Sequence, residues 1–305
     1  MITKPFKIIC AGLIGWDTIG RTNFEMVRGN DLPGKIETNI GGVAANVAVA
    51  LSNHYKENTN FEIILLSSTG NDKKSDLLLS ILSKHNKINC KNVIREKGTS
   101  DGYVGLEFKG ELFGAIASSS QLEKSCIKIF EPFARLIRSE KNLPFENFLI
   151  VDSNLTVKAI DHLTFDPIFD KTNFIIACAS PYKAKKIRNL MIRRKCSIYS
   201  NLNEASAISG SKLSSSQEAA DVLFQMGAKD ATVTNGKKAA SNRSTSGLVS
   251  LTPKQTFNIK ATGAGDAFLS AHFLSVVLNR EAPQLKHLET AELAARQGIP
   301  FLLER

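Results

Sequence analysis

The sequence predicts an α/β fold whose largely parallel sheet is covered by helices on both faces, and three observations predict it. Short apolar, β-branched runs recur at KIIC (7–10), FEIILL (61–66), FLIV (148–151), FIIAC (174–178), SIY (197–199) and ATVT (231–234). Between most of them lie longer segments with helical periodicity, such as SDLLLSILSKH and SQEAADVLFQMG. Strands that alternate with helices run parallel and are buried on both sides by those helices. The third observation is where the polar residues stand. Asp17 follows the first strand, Asp152 and Asn154 follow FLIV, Asn201 follows SIY, and Asn235-Gly236 follows ATVT. In a parallel sheet all of these fall at the carboxyl edge, where open α/β folds bind ligands.

Bulk properties agree with that class. The 305 residues suffice for one large α/β domain or two ordinary ones. No repeat, low-complexity tract or linker divides them, so 1–305 reads as a single domain. Hydrophobic residues at 43% and charged ones at 22% allow a core without covalent staples. The five cysteines (Cys10, Cys90, Cys126, Cys178, Cys196) are scattered and nowhere spaced C-x-x-C. That argues against a disulfide framework and a zinc site, and for a reducing compartment. No stretch approaches the ~18 apolar residues of a membrane span, and the apolar run near the N-terminus is too short for a secretory leader. The expected location is cytoplasmic. A net charge of +10 would suit nucleic acid, but the basic residues are dispersed. Their densest group, KAKKIRNLMIRRK at 183–195, reads as a solvated amphipathic helix with Ile187, Leu190, Met191 and, at its margin, Ile192 inward. Neither a nucleic-acid nor a membrane partner is expected; a basic surface also gathers anionic small molecules.

Taken in order, the first strand leads to Asp17 and then to NIGGVAANVAVALSNHY at 39–55. Gly41-Gly42 opens a helix that is apolar nearly all round and therefore buried. Asn46 lies one turn beyond Gly42 on the same face. A polar amide in such a helix must find partners: a backbone group, or, together with the Gly42 backbone, the hydroxyls of a ligand. TSDGYVGLEFKGELFGAIA at 99–117 then breaks the alternation with a hairpin pattern that turns at Lys109-Gly110. With the segment after Asp17 it makes a small sheet apart from the main layer, at approximately 18–40 and 95–118. A lid is one use for it, an interface the other.

NIKATGAGDAFLSAHF at 258–273 carries the chemistry. A helix that begins at a glycine-rich turn exposes unpaired N–H groups and the positive end of its dipole. Gly263, Ala264 and Gly265 let an anion approach closely. Asp266 would repel a static phosphate, so two readings stay open. It caps the helix, or it takes a proton from a hydroxyl while the neighbouring N–H groups hold phosphoryl oxygens.

GGVAANVAVAL and ATGAGDAF resemble the two signature segments of the ribokinase-like (PfkB) carbohydrate kinases, and the likeness covers nearly the whole chain. It implies a three-layer α/β/α sandwich with a mostly parallel central sheet and a small β-sheet lid, with ATP and Mg²⁺ as cofactors. It assigns Asp17, Gly41, Gly42, Asn46 and Asn154 to the sugar, and Asp266 to the general base. Gly263, Ala264 and Gly265 become the anion hole. Asn201 and Glu204 match its N-x-x-E magnesium motif, and Glu204 could equally be an ordinary helix-start carboxylate. Thr234 and Gly236 would lie beside ATP, and Ala295 and Gly298 would border the adenine pocket. Within the family, PGKIETNIGGVAANVA (33–48) and DSNL (152–155) look most like pseudouridine kinases. That implies the 5′-hydroxyl of pseudouridine as acceptor, with ribose, another sugar or a nucleoside as alternatives, and a homodimer through the lid sheet as one arrangement. A non-catalytic ligand-binding protein on the same scaffold is the alternative of another class.

Four positions depart from the family pattern: Gly15, Ala239, Ser180-Pro181 and Lys260. Lys260 replaces an aspartate that in many relatives helps bind a monovalent cation, so no such requirement is expected. The sequence contains neither a G-x-x-x-x-G-K-[ST] phosphate loop nor a G-x-G-x-x-G after its first strand, which removes P-loop and nicotinamide readings.

Overall fold

The computed structural model describes residues 5–54, 61–85, 87–109, 111–139, 146–254 and 263–299. Along the first strand Phe6, Ile8 and Cys10 point to one face and Ile9 and Ala11 to the other, and all are buried. A strand apolar on both faces belongs inside a sheet with a layer on each side.

In chain order the strands are β1 (Phe6–Ala11), β2 (Gly15–Thr22), β3 (Lys35–Gly41), β4 (Phe61–Leu66), β5 (Ser68–Gly70), β6 (Ile88–Asn89), β7 (Ile94–Glu96) and β8 (Gly102–Phe108). They continue with β9 (Glu111–Ser118), β10 (Glu146–Asp152), β11 (Asn173–Ala177), β12 (Ser197–Asn201), β13 (Asp230–Thr234), β14 (Ala240–Ser244) and β15 (Gly247–Leu251). The main sheet runs β15-β14-β13-β12-β11-β10-β1-β4-β6. It is parallel from β13 through β6, and β14 and β15 close one side as an antiparallel hairpin. Helices Val43–Asn53, Lys73–Lys84 and Ala264–Leu278 pack with Phe6, Ile8 and Cys10. Helices Val157–Phe165, Arg188–Arg194, Leu202–Ser209 and Ser216–Gln225 cover the opposite face. This is the expected three-layer arrangement.

A second sheet, β3-β2-β8-β9, stands apart, with a bulge between Leu106 and Glu107. β2 pairs antiparallel with β3 and parallel with β8. Because paired residues share a face, Asp17, Ile19 and Arg21 lie with Asn39, Glu37, Tyr103 and Glu107. The other face carries Ile36, Val104, Leu106 and Ile116, all exposed. Residues 94–96 belong to a separate pair, β5–β7.

The basic run at 183–195 forms three short pieces rather than one helix: Pro181–Ala184, a 3₁₀ turn Lys185–Ile187, and Arg188–Arg194. Ile187, Leu190 and Met191 are buried as expected, whereas Ile192 is 40% exposed. Two of the cations are structural. Arg194 donates to the Leu163 and Asp166 carbonyls and to Asp170, and Arg193 donates to the Thr164 carbonyl while its guanidinium lies over Phe165. Among the described residues no helix is long and apolar enough to cross a membrane.

Candidate active site

The loop after β1 is organised by a buried carboxylate. Asp152 ends β10, beside β1, and accepts the N–H groups of Leu13 at 2.8 Å and Asn154 at 2.8 Å. Burial raises its pKa, against those hydrogen bonds and the nearby Lys183 ammonium. The sequence marks Asp152 by its place after FLIV, but it gains a role only when the Gly12-Leu13 turn folds over it.

From that turn β2 carries Asp17 across Gly41 of β3. A Cβ built on Gly41 would sit 1.9 Å from Asp17 Oδ1, so only glycine lets this carboxylate lie where it does. Burial raises the Asp17 carboxyl to about 6.

Gly42 is the N-cap of helix Val43–Asn53, and that helix packs against helix Ala264–Leu278 through small and apolar residues such as Ala44, Val47 and Leu269. Their packing answers what Asn46 binds. Its Nδ2 donates to Asp266 Oδ2 at 2.8 Å, joining the two glycine-bearing motifs across 220 residues, and no backbone group takes its place. Asn46 Oδ1 is buried and has no hydrogen-bond partner among the described residues. An unsatisfied buried acceptor costs free energy unless a donor reaches it, and a ligand hydroxyl has the chemistry to do so.

Helix Ala264–Leu278 starts from Gly263, whose φ of 85° is the left-handed conformation that favours glycine. Among the described residues no side chain caps it. The N–H groups of Ala264, Gly265 and Asp266 therefore have no acceptor within the helix, and the space beside the Gly265 Cα is open. Asp266, the third helical residue, turns its carboxylate to Asn46 instead of to its own helix end, so the capping reading fails. Burial raises its pKa to about 7; the Asn46 hydrogen bond opposes this, and the Asp152, Asp17 and Glu204 carboxylates add to it. Those four carboxylates share one electrostatic neighbourhood.

Asn201 ends β12 and Thr234 ends β13, paired side by side. Asn201 Oδ1 accepts the Glu204 N–H at 2.9 Å, and Glu204 Oε2 accepts the Asn201 N–H at 2.8 Å, a reciprocal cap of helix Leu202–Ser209. Glu204 is buried, and burial raises its pKa to about 7. A cap contributes about 1 kcal/mol, whereas a desolvated carboxylate costs several. The cap alone does not account for an ionised glutamate here; a cation beside it would. Among the described residues no group of three or more His, Cys, Asp or Glu side chains could hold a metal by itself. Gly236 is exposed in the turn between β13 and β14. Ala295 packs with Ala240, Phe268 and Ala291, and Gly298 ends helix Gln284–Gln297. The next residue, Ile299, lies against Gly263, so the last helix and the GAGD turn meet. Lys260 lies outside the described residues.

The pfkB family carbohydrate kinase model matches residues 6–296. This chain belongs to the pfkB family of carbohydrate kinases. A carbohydrate kinase of this family transfers a phosphoryl group to a sugar hydroxyl. No curated protein matches the kinase. Among solved structures, a ribokinase from Thermotoga maritima is 18% identical with a TM-score of 0.71, covering 96% of this chain and 92% of that one. Arabidopsis thaliana ribokinase complexed with ribose and ATP is 15% identical with a TM-score of 0.70, covering 97% and 92%. A carbohydrate kinase from Agrobacterium tumefaciens is 20% identical with a TM-score of 0.70, covering 95% and 89%. These likenesses show the ribokinase-like fold of the kinase.

Proposed function

We propose that this carbohydrate kinase uses ATP and Mg²⁺ to phosphorylate the primary 5′-hydroxyl of pseudouridine by in-line transfer, with Asp266 as general base. The observation that carries the reading is the Asn46–Asp266 bond, which holds a carboxylate of raised pKa beside an uncapped helix N-terminus. A base tuned near neutral pH both accepts a proton readily and is unprotonated often enough to act. Asp17, Gly41, Gly42, Asn46 and Asn154 bind the acceptor's hydroxyls, and the acidic side chains receive the protons that hydroxyls donate. Gly263, Ala264 and Gly265 present N–H groups to the phosphoryl oxygens. Thr234, Gly236, Ala295 and Gly298 form the nucleotide side. Glu204, oriented through Asn201, holds the hydrated magnesium ion, which when bound neutralises phosphate charge; one carboxylate with water suits that ion. A non-catalytic role gives no reason to keep a desolvated carboxylate at an uncapped helix end.

The small sheet closes over the acceptor as a lid, since Asp17 sits on its inner face, and its apolar outer face pairs with a second copy. The kinase acts in the cytoplasm on a small-molecule acceptor, without nucleic acid or membrane. Ribose is the second reading, favoured by the ribose-bound Arabidopsis ribokinase of the same fold.

An acceptor panel of pseudouridine, uridine, ribose and hexoses, read by ATP consumption, tests the assignment. Pseudouridine should give the highest kcat/KM, and exchange of sodium for potassium at constant ionic strength should leave the rate unchanged because of Lys260. A preference for ribose would replace the acceptor assigned here, and a steep rise in potassium would overturn the role of Lys260.

A further inference from the structure

The acceptor side of the site is acidic except at one point. Lys183 sits in the short helix Pro181–Ala184, which Ser180 caps through its side chain. That turn is fastened to β10 and β11, because the Ala179 N–H donates to Ser153 Oγ at 2.9 Å and the Ser153 N–H to the Ala177 carbonyl at 3.1 Å. The fastening brings Lys183 Nζ to Asn154 Oδ1 at 2.6 Å. Its ammonium is directed at this amide rather than at the neighbouring Asp152 carboxylate, which already takes two backbone N–H groups.

The chemistry of the pair fixes its orientation. A lysine has three donors and no acceptor, so the atom it meets on Asn154 must be the amide oxygen. The Asn154 NH₂ group then faces away from Lys183, with one of its donors turned to the Asp152 carboxylate and the other available. The pair offers three N–H donors, two from Lys183 and one from Asn154, against one remaining lone pair. Lys186, half-buried one turn further on, adds a second cation facing Lys183, Asp152 and Glu123. Elsewhere Asp17, Asp152 and Asp266 are acceptors, suited to the hydroxyls of a sugar. A wall of donors is suited to an oxygen that only accepts.

We propose that Lys183 is a specificity-determining residue of the acceptor site, and that with Asn154 it takes a carbonyl or carboxylate oxygen on the non-reacting end of the acceptor. This rests on the acceptor site assigned above, and on no particular acceptor. A pyrimidinedione ring supplies the carbonyl form of that oxygen and a sugar acid the carboxylate form.

The test compares the affinity of the full-length kinase for pseudouridine, D-gluconate and ribose by calorimetry, in the wild type, Lys183→Met and Lys183→Gln. Lys183→Gln keeps a donor for Asn154 Oδ1 and controls for a folding defect. Wild type should bind pseudouridine or gluconate more tightly than ribose. Lys183→Met should reduce that selectivity about ten- to hundred-fold, the range for losing a hydrogen bond to a charged group, with the kinetic loss in KM more than in kcat. Lys183→Gln should lie between. A selectivity ratio unchanged in both variants would overturn the proposal, as would wild-type preference for ribose over both oxygen-bearing probes. Preference for gluconate alone would remove pseudouridine as the acceptor and leave Lys183 supported.

Discussion

Asp266 owes its basicity to its neighbours, and each neighbour gives a signed expectation. Burial and the Asp152, Asp17 and Glu204 carboxylates raise it, while Asn46 lowers it, to about 7. The kcat/KM profile of the free enzyme should therefore fall on an acidic limb near pH 7 rather than near pH 4, a macroscopic value shared by the coupled carboxylates. Asn46→Ala removes the one contact that favours the ionised form, so the limb should move to higher pH; a limb that moves down or stays would contradict the contact's role. The same groups act on stability. Their folded pKa values lie above the unfolded ones, so their stabilising contribution is full below about pH 4 and is lost as pH rises through about 6 to 7. The identities of these residues were legible from spacing and motif. The Asn46–Asp266 bond was not, because no local pattern links positions so far apart. Lys183 was hidden in a run that reads as a solvated helix face.

At the scale of the element, the small sheet depends on one close approach. Gly41→Ala would place a methyl group inside the Asp17 carboxylate, so either the strand or the carboxylate must move. Acceptor KM should rise about ten-fold or more, and the effect should largely vanish in an Asp17→Ala background, since the two residues act through one contact. Additive losses in that cycle would count against the contact. The parallel strands were legible as short continuous apolar runs, and the hairpin at 102–118 because its apolar residues recur with period two. β14 and β15 were not. ASNRS carries no apolar run, yet Ser241 is satisfied by Ser216 and Ser250, and Asn242 donates to Thr232. Polar side chains that bond one another can fill a strand without any hydrophobic alternation. The split of the basic segment was equally hidden, since its inward residues follow a single helical period.

For the whole molecule, the layers follow from strand–helix alternation, and the site follows from the carboxyl edge of the sheet. What alternation cannot convey is which way the small sheet turns. Its inner face, with Asp17, and its outer face, with Ile36, Val104, Leu106 and Ile116, separate only once the register of β2, β3 and β8 is known. The pairing of two copies proposed above would cover this exposed apolar face. Ile116→Asp should shift the kinase from dimer to monomer in sedimentation analysis, with the fold retained; a wild-type monomer would refute the pairing of two copies.

Turnover and acceptor binding measured together in Asp266→Asn test the central claim most directly. Asparagine keeps an oxygen for Asn46 and removes the proposed base. Turnover should fall by about 10²–10⁴-fold, the contribution of a general base, while acceptor affinity stays close to wild type. Loss of a desolvated charge should also raise Tm at neutral pH by a few degrees, about 2–4 °C for each ~1 kcal/mol. Wild-type turnover in Asp266→Asn would contradict the account.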